Sequence, residues 1–451
     1  MVTNAYTGNS NLATNDTLAY LDSKLLELPQ KQLVAYKLGD PITLPKGRGL
    51  TYTAVRYERL PLPFAPLAEG VPPIGETLTT TVVTGTVQQW GDKLTLTDVA
   101  ELATFHRPLE QAGKLLMLQI KELLDRNTFN TWNSGTQVNY VNTRGSRAAV
   151  QATDYLDATT VSRTYTNLFY EGAPEFNGSM ETDTELNAES EESDASNATR
   201  KNPHYMAIVH PFVENDLRND STVKTAWQYS DVNKLYNGEI GEWGGMTFCK
   251  TNLVPSWVGV AQVNGTAGSS GSLATGTYYV QVTGSDNQNQ YESRIYQVSA
   301  SVSVTGPTGS ISVTLPSTAG FTYSVYIGTT TSPANLALSS AGPSSGSLQG
   351  QATQMTGGQT VVITGTGVAQ TPPAAPATGV SVYPTYVLGR GAFGQIVLDG
   401  AKWNVLKDAD KSDPLNQLRV YGYKIFYGTI ILNNQFFARI ESSASTNGSY
   451  A

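Results

Sequence analysis

Apolar and polar positions repeat along this chain with two different periods, and the switch between them marks its parts. From residue 108 to 132, Leu109, Ala112, Leu116, Ile120 and Leu123 recur at helical spacing, with Lys114, Lys121, Asp125 and Arg126 mostly between them. This predicts one amphipathic helix of roughly 24 residues, about 36 Å long. A shorter helical segment precedes it: Asp98 with Glu101 has capping-box spacing, and Pro108 suits the first turn of the next helix. Upstream, Leu50 to Tyr57 and Thr77 to Trp90 are rich in Thr, Val and Tyr and read as paired strands. Between them runs a proline-stiffened apolar tip, from Pro61 to Pro73. The first 15 residues are polar, and Leu18, Leu21, Leu25, Leu28, Leu33 and Tyr36 predict short helices broken at Pro29.

Residues 140–255 alternate between the two periods, an α+β pattern. Asp154 to Tyr170 predicts a helix, Tyr205 to Val209 a buried strand, and Phe212 to Arg218 another helix. Glu171 to Asp194 holds nine acidic residues and no basic one, the signature of a solvated loop. Near Val258 the style changes. The 121 residues 258–378 carry three charges, Asp286, Glu292 and Arg294, amid Gly, Ser and Thr. Short alternating runs there predict a β-sandwich of about 100 residues, closed by the linker Thr371 to Pro376. Gly276-Thr277-Tyr278-Tyr279 and Tyr323-Ser324-Val325-Tyr326 resemble strands of fibronectin type III and bacterial immunoglobulin-like domains. Strand patterns resume at Tyr383 to Leu388, Gln395 to Leu398 and Gly422 to Leu432, so the sandwich reads as an insertion into a host domain.

Composition narrows the function classes. Across 451 residues only 15% are charged and the formal net charge is -8, which argues against nucleic-acid recognition as the main task. A single cysteine, Cys249, allows no intrachain disulfide and reads as a small buried hydrophobe. The N-terminus has no basic segment followed by an apolar core, and no run of about 18 apolar residues occurs, so neither a signal peptide nor a membrane span is expected.

No catalytic, cofactor-binding or metal-binding constellation stands out. Gly389-Arg390-Gly391-Ala392-Phe393-Gly394 has the spacing of a kinase glycine loop, but no catalytic loop follows and the next residues look like strand. A tight turn in a sheet is the simpler reading. His106, His204 and His210 lack zinc-ligand spacing, and the two that flank the 205–209 strand are expected to satisfy local backbone. An enzyme is not expected.

The order of parts resembles the major capsid proteins of tailed bacteriophages, in particular the N-four-like phage capsid family. The resemblance is carried by Pro45-Lys46-Gly47, Gly49, Arg56-Tyr57, Leu67, Glu69-Gly70-Val71, Pro73, Leu96-Thr97-Asp98 and Leu123 to Arg126. It continues through Ile208-Val209-His210-Pro211, Asp216-Leu217, Gly238 to Gly241, Gly245 and Thr251-Asn252, then Gly389, Ala392, Asp413-Pro414-Leu415 and Gly422. It implies an α+β tailed-phage capsid fold: an N-terminal arm over 1–49, an extended hairpin loop over 50–97, and a spine helix opening the peripheral and axial domains over 98–257 and 379–451. The inserted immunoglobulin-like sandwich, 258–378, departs from that pattern and is expected to decorate the outer surface.

The same resemblance implies a homo-oligomer of hexamers and pentamers, forming an icosahedral virion shell around double-stranded DNA contacted non-specifically. A portal and a separate scaffolding protein would be partners, with assembly in the host cytoplasm and no membrane or cofactor. Phe64, Leu67, Glu69 and Val71 in the loop tip are the expected intersubunit contacts. The sandwich is expected to be separable from its host. A bacterial surface-layer or adhesin-type protein is the alternative, because the sandwich composition suits it.

Overall fold

A computed structural model of the chain describes residues 34–60, 62, 75–97, 108–176, 204–223, 239–286, 291–332, 337–338, 342–343, 355–365, 371–406 and 417–445. The chain divides into two units: 1–30, 91–119 and 401–425 form one, and 31–90, 120–400 and 426–451 form the other. The short helical segment at 98–107, the helices before residue 34, and most of the acidic loop lie outside the described residues.

After a 3-10 turn at Ala35–Leu38 come β1 (Asp40–Thr43), β2 (Thr51–Tyr57), β3 (Thr80–Thr86) and β4 (Gln88–Thr97), then the long helix α1 (Pro108–Asn133). The helix spans 26 residues, about 39 Å. Its buried stripe runs Leu116, Ile120, Leu124, Thr128 and Trp132, with Asp125 and Phe129 beside it, so its later turns are turned about one residue from the expected stripe. Asp125 faces inward because it has a task. Its carboxylate accepts from the backbone N–H of Val34 at 2.9 Å and of Tyr36 at 2.7 Å, pinning the chain that leads into β1. Burial pushes this carboxyl's pKa up, and those N–H bonds oppose the shift.

The body is built from β5 (Val138–Tyr140), α2 (Ala158–Tyr170), β6 (Tyr205–Val209), α3 (Pro211–Asn219), β7 (Glu239–Trp243) and β8 (Met246–Lys250). Helix α2 begins four residues later than the pattern predicts. Asp157 caps it, accepting from Thr160 N–H, while Asp154 turns to Arg144 at 2.8 Å. Helix α3 is capped by His210, whose Nδ1 accepts from Phe212 N–H at 3.2 Å, in agreement with the backbone role expected for it. Val161, Leu168, Val213 and Leu217 of these helices pack on Tyr205, Ala207, Val209 and Phe248 of the sheet.

Next come β9 (Trp257–Val260), β10 (Gly265–Leu273), β11 (Gly276–Asp286), β12 (Glu292–Tyr296), β13 (Val302–Val304), β14 (Gly309–Thr314) and β15 (Phe321–Gly328). Short strands β16 (Ala337–Leu338), β17 (Gly342–Pro343), β18 (Met355–Thr356) and β19 (Thr360–Ile363) follow. A four-stranded sheet ordered β10-β14-β19-β17 faces β11 and β15. Val280, Val282, Tyr323, Val325 and Ile327 meet Ile311, Val313, Val361 and Ile363 in the core between them. Strand β10 is nearly all Gly, Ser and Thr and has no apolar alternation; ladder pairing with β14 makes it a strand.

The chain returns through β20 (Ser381–Leu388), β21 (Phe393–Leu406), β22 (Leu418–Ile431) and β23 (Phe437–Ser442). Strand β20 is buried along its whole length. It pairs with β9 at Ser381 and Val382, and with β6 from Tyr386 to Leu388. Pro384 falls between those two ladders on one edge of β20 and sits opposite Glu441 in the ladder with β23 on the other. Trp132, at the end of α1, packs among Tyr386, Phe393 and Phe437 with ring centroids 5.0–6.4 Å away.

The two ends of the sandwich lie together, Trp257 pairing with Val382, and the seam between sandwich and body is continuous. Strand β9 pairs with β20 of the body on one side and runs parallel to β12 on the other, so a single 13-stranded sheet crosses the junction. Ile295 packs with Val150, Trp257, Val380 and Val382. Tyr291 enters the core formed by Phe129, Trp132 and Tyr386. Gly259 is required at this seam, because a Cβ there would stand 2.2 Å from the Ala377 carbonyl oxygen. The junction is also tied by charge. Glu441, fully buried, accepts two bonds from Arg147, at 2.8 Å from Nε and 2.6 Å from Nη2, and Arg439 Nε lies 2.9 Å away. Arg147 also donates to the Ala374 carbonyl in the linker and lies 3.7 Å over the Trp257 ring.

Two outcomes follow from this architecture. Glu441→Gln keeps the shape but leaves two buried guanidiniums without their anion, so it should cost about 3 kcal/mol or more in denaturant unfolding; a loss below about 1 kcal/mol would show the network to be dispensable. Burial lowers the His210 pKa to about 4, against about 6.5 unfolded. Below pH 6.5 the unfolded chain gains a proton that the folded one refuses, so this stability is present above pH 6.5 and is lost as pH falls toward 4. The loss should be on the order of 3 kcal/mol at 1.36 kcal/mol per unit. In His210→Asn, which retains a capping side chain, that slope between pH 6.5 and 4 should flatten.

Candidate subunit interface

One element of the described surface has a whole face on which no described residue packs: the hairpin β2–β3. Its strands pair antiparallel over seven positions, from Thr51↔Thr86 to Tyr57↔Thr80, and form a sheet of only two strands. Thr, Val and Tyr fill it because their branched or aromatic side chains fit a pleated surface. The partner strand expected as one run from Thr77 to Trp90 is in fact two. It breaks at buried Val87, and β4 leaves to join β22 in another sheet.

The pleat sorts the hairpin into two faces. Tyr52 and Val83 point inward onto Leu44, Val87, Ile396 and Ile430. Gly85 makes that approach possible, since a Cβ there would lie 2.8 Å from Ile396 Cδ1 and 3.0 Å from Ile430 Cβ. Toward the far end the inward face turns polar. Glu58 accepts from Arg56 at 3.0 Å and from the Thr81 hydroxyl, and these bonds, Thr81 first, hold its carboxyl below the usual range.

The opposite face is Thr51, Thr53, Val55 and Tyr57 beside Thr80, Val82, Thr84 and Thr86, all exposed and none charged. Val55 and Val82 are directly opposed and 56% and 55% exposed, and Tyr57 is 68% exposed. Leu60, Leu62 and Leu78 continue the apolar surface toward the tip. An isolated two-stranded ribbon is marginal in water, and each outer edge lacks a ladder partner among the described residues, an arrangement that invites pairing with another chain.

The residues expected to make the contact, Phe64, Leu67, Glu69 and Val71, lie outside the described residues. The Val55–Val82 row was missed because in a Thr/Val strand the sequence does not say which face is covered. The glycine-rich segment Gly389 to Gly394 joins β20 to β21 as a turn with no helix after it. Cys249 is half-buried in β8 rather than buried, because β8 carries its burial on Met246, Thr247 and Phe248. Among the described residues no cluster of His, Cys, Asp and Glu could hold a metal ion. No helix among them is long and apolar enough to cross a membrane.

No protein-family model matches the chain, and no curated protein sequence matches it. Solved structures do. The Cyanophage Pam1 capsid aligns over 98% of this chain and 100% of its own, with TM-score 0.52 and 11% identity. The capsid of Ralstonia phage GP4 aligns over 99% of both, with TM-score 0.51 and 9% identity. The capsid of Cyanophage P-SCSP1u aligns over 97% of both, with TM-score 0.51 and 9% identity. At such identities the likeness establishes the fold: the chain has the α+β fold of phage capsid proteins.

Because Val55 and Val82 are exposed, Val55→Asp with Val82→Asp should move the subunit's unfolding free energy by no more than about 1 kcal/mol. If this face is a subunit contact, size-exclusion chromatography with light scattering should find the double variant in smaller species than the wild type. Unchanged association would rule this face out as a contact.

Proposed function

We propose that this chain is the coat subunit of a phage, many copies of which tile as hexamers and pentamers into an icosahedral shell around double-stranded DNA. The observation that carries the reading is the hairpin: an uncharged face and two open edges on a fold shared over nearly its whole length with capsid chains. Burying the hairpin face under a neighbour contributes about 1.5–3 kcal/mol for each large apolar side chain taken out of water. Phe64, Leu67, Glu69 and Val71 extend the same contact at the loop tip. The role is structural rather than enzymatic, and the place of the protein is the virion.

In this reading the sandwich at 258–378, immunoglobulin-like in pattern, projects from the shell as a fixed decoration. DNA is contacted without sequence readout, in keeping with the net charge of -8. Assembly takes place in the host cytoplasm with a portal and a separate scaffolding protein. Cohesion is non-covalent. The loop from Arg59 to Gln89 contains no lysine, so it offers no amine for an isopeptide bond to a neighbour, and one cysteine per chain joins at most pairs.

Negative-stain microscopy of the expressed chain, with its scaffolding protein where needed, should show closed shells. Planar lattices would point to a surface-layer protein instead, and discrete monomers would overturn shell formation. Shells boiled in detergent and reductant should run as one band at the mass of a single chain; a ladder would overturn non-covalent cohesion.

A further inference from the structure

Where the sandwich meets the body a cavity of about 910 Å³ opens. The end of α1, the linker and the polar face of the β11–β15 sheet form its walls, through Asn130, Ala374, Ser285 and Ser324 among others. Its charged lining is Arg126, Arg147, Arg439 and Glu292.

The charges do not balance. Arg147 and Arg439 share one carboxylate, Glu441. Glu292 is engaged within the sandwich, accepting from Thr283 at 3.1 Å and from the Tyr326 hydroxyl at 2.6 Å. Burial raises its pKa, which disfavours its charge further. Three guanidiniums thus meet two carboxylates at the cavity; a third carboxylate, Asp125, near enough to raise the Tyr291 pKa, is taken by the Val34 and Tyr36 N–H groups, and Arg126 is the guanidinium without an ion-pair partner among the described residues. Its Nε is buried without a hydrogen-bond partner, and no carboxylate pairs with it among the described residues.

Beside it the Tyr291 hydroxyl is also buried without a partner, on a side chain only 6% exposed. A buried donor left unmade costs about 1–3 kcal/mol, more when charged. Both groups can donate to an acceptor placed in this polar cavity. Arginine stays charged under burial and its planar fork fits an oxyanion. The volume lies within the range of about 300–1,000 Å³ usual for small-ligand sites.

We propose that this cavity is a binding site for a compact oxyanion of phosphate size, held by Arg126 and the Tyr291 hydroxyl. The bound anion neutralises the seam and fastens the sandwich to the end of α1. The site does not depend on the coat-subunit reading, since it is read from this chain alone.

Thermal unfolding of the purified full chain tests it, with inorganic phosphate against sodium chloride at matched ionic strength. Phosphate should raise the midpoint of the wild type in a saturable way, as a ligand of the folded state does. Arg126→Gln and the shape-conserving Tyr291→Phe should each weaken the apparent phosphate affinity by about tenfold or more, the worth of a hydrogen bond to a charged group. No saturable rise, or the same rise in wild type and both variants, would overturn the site and reduce the effect to general salt stabilisation. Acetate is the second arm: saturable stabilisation by acetate through Arg126, with none by phosphate, would overturn the assignment to a phosphate-sized anion. Tyr291→Phe keeps the test open if Arg126→Gln does not fold.

Discussion

One buried carboxylate holds together segments that are far apart in the chain. Glu441 lies in the last strand, accepts both nitrogens of Arg147 and touches Arg439. Arg147 reaches the linker carbonyl of Ala374 and covers Trp257, and Arg439 donates to the carbonyls of Trp132 and Asn133 at the end of α1. Helix end, body strand, insertion entry and insertion exit therefore converge on a single anion. A buried ion pair of this kind adds little net stability over an apolar replacement, because desolvation offsets the attraction. Its effect is on geometry: a bidentate pair has one good arrangement, so the junction has one as well.

That constraint ties the sandwich at 258–378 to the body. A domain joined by two loose strands would keep its own core and leave its host intact. Here the junction strands are bonded to each other, Gly259 N–H donating to the Val380 carbonyl at 3.0 Å, and the sheet runs through. Tyr291 and Ile295 belong to the sandwich by sequence and to the body by packing. The hairpin shows the opposite design. Only its inward face and its root are held, by Leu44, Val87, Ile396 and Ile430, and its outer face is left to whatever comes to cover it.

Much of the fold was legible in the sequence where one local rule dominates. The helical period over 109–123 specified α1, and the alternation in 277–282, 310–315 and 321–327 specified sandwich strands, because burying one face of an element fixes its period. The Thr/Val runs specified a hairpin, and Pro211 after His210 marked the start of α3. The composition break near Val258 was legible because an uncharged, Gly/Ser/Thr-rich run can hardly form anything but strands and turns.

Tertiary structure alone decided the rest, and for one physical reason: these features depend on partners distant in sequence. Strand β10 exists because β14 pairs with it. Asp125 is buried because two backbone N–H groups, about 90 residues away, need an acceptor. Val55 and Val82 form the open face only because Ile396 and Ile430 claim the other side of the same strands. Among the described residues Arg126 has no carboxylate to pair with because Glu441 serves two other arginines. A sequence states which residues can be buried or paired; which of them are is settled by the competition for partners once the chain has closed on itself.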